Sequence, residues 1–153
     1  MIMRWRRQCV WSCCALALLG WTTALSATDW QPAKGPLMTR WAKDVKPDKP
    51  HPEYPRPQMR REHWMNLNGL WQLDFAKKED AVPTGKDLSE RILVPFPVES
   101  ALSGVMKRAD RLWYRRHFRI PGGWDGQRVL LHFGAVDWEA TVWLNGKKLG
   151  SHQ

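Results

Sequence analysis

Apolar residues recur at every second position in several short stretches of the chain after residue 57. The stretch NGLWQLDFA shows this clearly, because Trp71, Leu73 and Phe75 alternate with the polar residues Gln72 and Asp74. A period of two is typical of a β-strand with one buried face. Four further stretches have a strand-like character: RILVPFP at 91–97, LWYRRHFRIP at 112–121, GQRVLLHFG at 126–134 and DWEATVWLNG at 137–146. The pattern therefore predicts five strands.

Residues that favour tight turns separate the later strands. Asn145 and Gly146 form the strongest hairpin signal, since both tolerate positive φ. No stretch after residue 57 shows a long helical period. We therefore predict an all-β fold with antiparallel pairing, in which a sixth strand begins after the Asn145-Gly146 turn.

The alternation also assigns single side chains to faces. Trp71 and Trp138 fall on apolar faces and are predicted to lie in the core, whereas Trp143 falls on the face opposite to Trp138. Arg115 falls on the polar face of its strand, while Arg116 falls among the apolar residues.

Residues 28–57 differ in composition from the rest of the chain. They hold seven of the eleven prolines, and apolar residues do not alternate there. Proline-rich chain favours the extended polyproline II conformation, which has no internal hydrogen bonds. We therefore expect an extended lead-in at 28–57, followed by one domain at 58–153.

The first 27 residues have the layout of a secretory signal peptide. Arg4, Arg6 and Arg7 form a basic start, an apolar run follows from about residue 9 to 21, and small residues lie near Ala27. A membrane anchor is the alternative, but the run is shorter than the roughly 20 residues that span a bilayer. The sequence predicts export to the periplasm or the cell exterior, with no membrane attachment after cleavage.

Cleavage after Ala27 would remove 27 of the 153 residues, leave 126, and remove all three cysteines. The mature chain would then form no disulfide and no thiolate metal site. Loss of three arginines would leave 21 basic and 15 acidic residues, a net charge of +6 that is scattered in short pairs. Scattered charge indicates a solvated surface and gives little support to nucleic-acid binding. The five histidines show no metal-ligand spacing, so neither a metal nor a cofactor is predicted.

Four motifs occur in a recognisable order: PRPQMRREHWMNLNGLWQLDFA at 55–76, VPFPVESALSGV at 94–105, LWYRRHFRIP at 112–121 and FGAVDWEATVWLNGKKLGSHQ at 133–153. Together they resemble the amino-terminal sugar-binding domain of glycoside hydrolase family 2, which includes β-galactosidases, β-glucuronidases and β-mannosidases. The resemblance covers about residues 56–153.

The resemblance implies a jelly-roll antiparallel β-sandwich that is incomplete at its C-terminus. In the longer family proteins, an immunoglobulin-like domain and a (β/α)8 barrel follow, and the barrel holds both catalytic carboxylates. This chain would then contain no catalytic residue and would be inactive alone. Its partners would be the missing domains and a β-linked glycoside, which the parent enzyme hydrolyses with retention of configuration.

Asp137 and Glu139 form the one carboxylate pair that invites a catalytic interpretation. Retaining glycosidases use two carboxyl groups about 5 to 5.5 Å apart, and residues two apart on a strand lie on one face with Cα atoms roughly 7 Å apart. Such a pair is also ordinary on a solvated strand, and the resemblance places catalysis in the barrel. It implies instead that Asp137 contacts sugar hydroxyls, with Glu139 and His152 as secondary sugar-binding candidates. The alternative for Asp137 is a structural aspartate that accepts hydrogen bonds from nearby backbone donors.

Two functions from other classes remain open. A free-standing secreted carbohydrate-binding module would hold glycans on an open sheet face without catalysis. A small basic β-barrel would bind single-stranded nucleic acid by stacking bases on aromatic side chains, although the export signal and the four motifs argue against it. Binding to phosphates weakens steeply with salt, so salt dependence separates the two.

Overall fold

The computed structural model describes residues 1–5 and 30–153. Its strands are β1 (Ile2–Trp5), β2 (Gly69–Phe75), β3 (Glu90–Val94), β4 (Leu112–Phe118), β5 (Ala140–Leu144) and β6 (Lys147–His152). The helices in these residues are short 3-10 turns at Ala42–Asp44, Pro57–Met59, Ala101–Ser103 and Gly122–Trp124. None of them has the length and hydropathy that a membrane-spanning helix needs. The predicted all-β class is confirmed.

The six strands form one sheet in the order β3-β2-β4-β1-β5-β6. Pairing is antiparallel between β2 and β3, between β2 and β4, and between β5 and β6. β1, by contrast, runs parallel to both β4 and β5. It lies at the start of the predicted leader, most of which falls in residues 6–29, outside the described residues. The signal peptide therefore stays a prediction.

β2 lies at the centre of the buried half of the sheet. Trp71 and Leu73 are 4% and 0% exposed and pack with Ile92 of β3 and Met3 of β1. The indole N–H of Trp71 donates to the carbonyl of Leu67 at 2.8 Å, so burial of the ring leaves no polar atom unpaired. Burial of each such side chain contributes about 1.5–3 kcal/mol to stability. The prediction that Trp71 lies in the core is confirmed.

A loop over residues 83–88 covers the opposite face of β2. The side-chain amide of Gln72 donates to the Asp87 carboxylate at 2.7 Å, and its carbonyl accepts from the Leu88 N–H at 3.2 Å. The hydrogen bond from Gln72 lowers the pKa of the Asp87 carboxyl, and nearby positive charges act in the same direction. Both ends of a buried polar side chain are thus satisfied, which fixes the loop on the sheet.

Arg115 and Arg116 of β4 lie on opposite faces of the sheet. Arg115 is buried, and its guanidinium donates to the backbone carbonyls of Pro83 and Lys86. The half-buried Arg116 donates to the Leu70 carbonyl, and burial lowers the pKa of its guanidinium. The predicted polar face of β4 is therefore covered by the 83–88 loop, a contact that local alternation does not reveal.

The strand predicted at 126–134 is wrong, since these residues form no strand in the described structure. Val129, Leu130 and Phe133 are 43%, 55% and 39% exposed. A strand needs a neighbour to pair its backbone N–H and C=O groups, and none of the described strands lies beside this segment. The alternating pattern is present there, but the pairing partner is not.

β5 and β6 form the hairpin predicted from the Asn-Gly pair. Asn145 and Gly146 have φ values of 51° and 81°, as a two-residue turn with both central residues in the left-handed region requires. A bulge between Val142 and Trp143 shifts the pairing by one residue. The side chains of β5 are half-buried, whereas those of β6 are exposed throughout.

Residues 30–57 contain no strand and are exposed along most of their length, with Ala42 an exception. The Ala33 N–H donates to the Ala101 carbonyl at 2.9 Å, and the Asn66 amide donates to the His51 carbonyl at 2.8 Å. These bonds attach the segment to the domain at both ends. The boundary between lead-in and domain at residue 58 stays a prediction.

Candidate carbohydrate-binding site

The three predicted sugar-binding residues lie together at the open end of the β5–β6 hairpin. Asp137 and Glu139 precede β5, which begins at Ala140, and His152 is the last residue of β6. Ala140 and His152 are Cα partners in the antiparallel pair. The hairpin therefore brings His152 beside the two acids, although it follows them by more than ten positions in sequence.

The prediction that both acids lie on a strand is wrong. β5 begins one residue after Glu139, and the segment that leads into it is irregular, with a cis peptide bond between Asp137 and Trp138. The strand geometry that would fix the two carboxylates on one face is therefore absent. This arrangement gives no support to a catalytic pair, in agreement with the expectation that this chain holds no catalytic residue.

Asp137, Glu139 and His152 are all exposed. Within residues 1–5 and 30–153, none of their side chains takes part in a hydrogen bond or ion pair. The structural interpretation of Asp137, in which its carboxylate accepts from nearby backbone donors, is thus not observed. Its oxygens are open to a ligand from solvent, and a carboxylate is a good acceptor for sugar hydroxyls.

Trp138 is 68% exposed, so the prediction that it lies in the core is wrong. The physical reason is the late start of β5, because a residue before the strand is not held on the face that its alternation suggests. Trp143, on the strand itself, packs edge-to-face on Trp113 with ring centroids 5.6 Å apart. An exposed indole beside two acids is suited to stacking on the apolar face of a sugar ring.

A pair of hydroxyl groups completes the polar surface of the hairpin. The Oγ atoms of Thr141 and Ser151 lie 3.0 Å apart on neighbouring strands, exposed to solvent. Sequence reasoning missed this pair because counting back from the turn pairs Thr141 with Gly150. The bulge shifts the register and places Ser151 opposite Thr141.

The described residues contain no group of three or more histidine, cysteine, aspartate or glutamate side chains that could hold a metal ion. What the hairpin end offers is a set of hydrogen-bond acceptors, donors and one aromatic face. Such a set can bind and orient a polar ligand, but it supplies no paired acid and base for bond cleavage.

The sequence is similar to curated glycosidases over part of its length. It is 27% identical over 113 residues to a β-glucuronidase from Paenibacillus borealis, across 65% of this chain and 18% of that protein. It is 39% identical over 41 residues to a β-galactosidase from Thermoanaerobacter pseudethanolicus, across 27% and 6% of the two chains. A β-glucuronidase from Formosa agariphila is 40% identical over 42 residues, across 28% and 4%. No protein-family profile matches the chain.

The chain spans less than a fifth of the length of the curated relatives that it matches. The matched proteins carry names from two of the activities in the family that the four motifs resemble. The similarity to glycosidases is therefore confirmed at this coarse level.

Proposed function

We propose that this chain is the amino-terminal carbohydrate-binding part of an exported family 2 glycoside hydrolase. The parent enzyme would hydrolyse β-O-glycosidic bonds with catalytic carboxylates in a downstream barrel. The observation that carries the proposal is the 113-residue similarity to a β-glucuronidase, which falls on an all-β chain with four family-like motifs in order. The leader-like layout of residues 1–27 supports export to the periplasm or the cell exterior.

Asp137 is the residue that we propose to contact the sugar. Its exposed carboxylate is free to accept hydrogen bonds from hydroxyl groups. Glu139 and His152 lie at the same end of the hairpin and would extend the polar surface. These contacts would favour one sugar over another, while cleavage would depend on residues outside this chain.

The intact mass of the native product is the first test. An antibody raised against residues 56–153 would recover the product from the producing cell, and mass spectrometry would give its size. A product several times heavier than the 17.9 kDa of this chain would support the parent enzyme. A product near the mass of residues 28–153 would overturn the parent while retaining export, and a product with the leader attached would overturn export.

Glycosidase assays test the division of labour. The chain should release no chromophore above buffer from a panel of nitrophenyl β-glycosides, because it has no paired acid and base. Turnover that disappears on Asp137→Ala or Glu139→Ala would contradict this and would restore a catalytic role to the pair.

A second candidate function is a free-standing carbohydrate-binding module, which the exposure of Trp138 favours. Such a module would bind glycans without any partner domain. Titration of the chain with a glycan panel at low and high salt tests it, since sugar contacts respond little to salt. Affinity that falls steeply with salt would instead favour the single-stranded nucleic-acid interpretation.

A further inference from the structure

β1 connects two parts of the sheet that otherwise do not touch as neighbours. In the described sheet, the β5–β6 hairpin joins β4 through β1 alone. The N–H groups of Trp143 and Asn145 donate to the carbonyls of Met1 and Met3 at 2.9 and 2.8 Å. We define the gap between β4 and β5 that β1 fills as the strand slot. The position of the hairpin depends on what occupies this slot.

Both sides of the strand slot are apolar. Ile2 and Met3 are 6% and 1% exposed, and successive residues of a strand point to opposite faces. Met3 packs into the core beside Trp71 and Leu73. An occupant must therefore carry apolar side chains at two consecutive positions, which is the pattern of a strand buried on both faces.

The slot suits the interior of a strand better than a chain terminus. The α-amino group of Met1 donates to the Thr141 carbonyl at 2.8 Å, and burial lowers the pKa of this amine to about 6. A peptide N–H would make the same hydrogen bond without a charge to desolvate. β4 also extends further, since Ile2 pairs with Arg115 while β4 begins at Leu112. A longer strand could continue along this free length.

We propose that the strand slot is an acceptor site for one extended peptide supplied in trans, apolar on both faces and parallel to β4 and β5, which takes the place of β1 once the leader is removed. Strand addition of this kind gains affinity from main-chain hydrogen bonds and specificity from alternate side chains. The inference rests on the leader cleavage that belongs to the proposed function.

A peptide-exchange experiment on the folded full chain tests the proposal. A site-specific protease sequence is inserted between Ala27 and Thr28 and is cut after folding. The probe is an N-acetylated, fluorescein-labelled peptide with the sequence MIMRWRR of residues 1–7. We expect the cut protein to bind the probe with 1:1 saturation, and the uncut protein to bind at least about tenfold more weakly. A probe with aspartate at the Met3 position should also lose about tenfold or more.

Cross-linking checks that the probe enters in the register of β1. Arg4 and His117 are Cα partners, so a probe with cysteine at position 4 should form a disulfide with a His117→Cys protein in which Cys9, Cys13 and Cys14 are replaced by serine. Glu79→Cys, at an exposed position away from the slot, is the matched control. Equal cross-linking at positions 79 and 117 would overturn the proposal, as would equal binding of the aspartate probe.

A measurement on the uncut chain covers the case in which cutting causes aggregation. Met3→Asp should raise the hydrogen-exchange rates of the Trp143 and Asn145 amides at least tenfold relative to β2 amides, because the hairpin loses its connection. Unchanged relative protection would overturn the proposal, and so would failure of excess probe to displace residues 1–27 after cutting. The probe contains no sugar, so these outcomes are independent of glycan binding and of the native mass.

Discussion

The β2–β3–β4 region and the β5–β6 hairpin share one sequence pattern and differ in burial. Trp71 and Leu73 of β2 are 4% and 0% exposed, whereas Trp138 beside β5 and Leu149 of β6 are 68% and 57% exposed. β2 has strands on both sides and a loop over its second face, while β6 is an edge strand. Alternation thus predicts which residues share a face, but neighbours decide whether that face is buried.

Trp71→Ala should have the largest effect on stability. Truncation of a fully packed tryptophan removes its buried area and leaves a cavity, at a cost of about 3–5 kcal/mol. Urea unfolding followed by far-UV circular dichroism measures the loss. Trp41→Ala is the matched control, since Trp41 is 61% exposed and should cost less than about 0.5 kcal/mol. Equal losses for the two variants would contradict the assignment of the core to β2.

Arg115→Met tests the covered face of β4. The guanidinium donates to two backbone carbonyls of the 83–88 loop, and hydrogen bonds to charged groups contribute about 1.5–3 kcal/mol each. We expect a loss of about 3 kcal/mol in the free energy of unfolding. Arg119→Met, at an exposed position just after β4, should change it by less than about 0.5 kcal/mol. A harmless Arg115→Met would mean that the loop does not depend on this contact.

Stability should depend on pH through the amino group in the strand slot. Burial lowers the pKa of the Met1 amine from 8.0 to about 6, so between these values the unfolded chain binds a proton that the folded chain does not. Stability is therefore full above pH 8 and falls by about 2 kcal/mol as the pH drops to 6. N-terminal acetylation should remove this slope in urea titrations at pH 5.5 and 8.5. An identical slope in the acetylated chain would assign it to other groups.

Local sequence predicted β2, β3 and β4 and the hairpin turn because each depends on near-neighbour chemistry. The Asn145-Gly146 turn needs only two residues with positive φ, and β2 needs only its own alternation. The failures all depend on distant chain. Residues 126–134 have no pairing strand, the bulge at Val142 shifts the partner of Thr141, and β1 comes from a segment with the layout of a leader. Pairing partners across the sheet are not encoded within a short window of sequence.

The same limit applied to the candidate site. Asp137 and His152 were predicted from a family resemblance, and the hairpin brings them to one end of the sheet. The exposure of Trp138 was missed, since its place in the alternation favours the core. Its correct assignment required knowledge of where β5 begins, which depends on pairing with β1 and β6.

Trp138→Ala should have the smallest effect on stability and therefore separates the two roles of apolar residues in this chain. With 68% of its surface already in water, its loss should change the free energy of unfolding by less than about 0.5 kcal/mol. If the exposed indole stacks on sugar, the same variant should weaken binding by up to about tenfold, since an aromatic contact contributes about 0.5–1.5 kcal/mol. Calorimetric titration with methyl β-glucuronoside and methyl β-galactoside measures this, with Trp41→Ala as the matched control and Asp137→Asn as the polar counterpart. Unchanged affinity for a sugar that Asp137→Asn no longer binds would exclude the indole and retain the carboxylate. A large loss of stability would instead show that the hairpin buries Trp138, and the contrast between the two regions would fail.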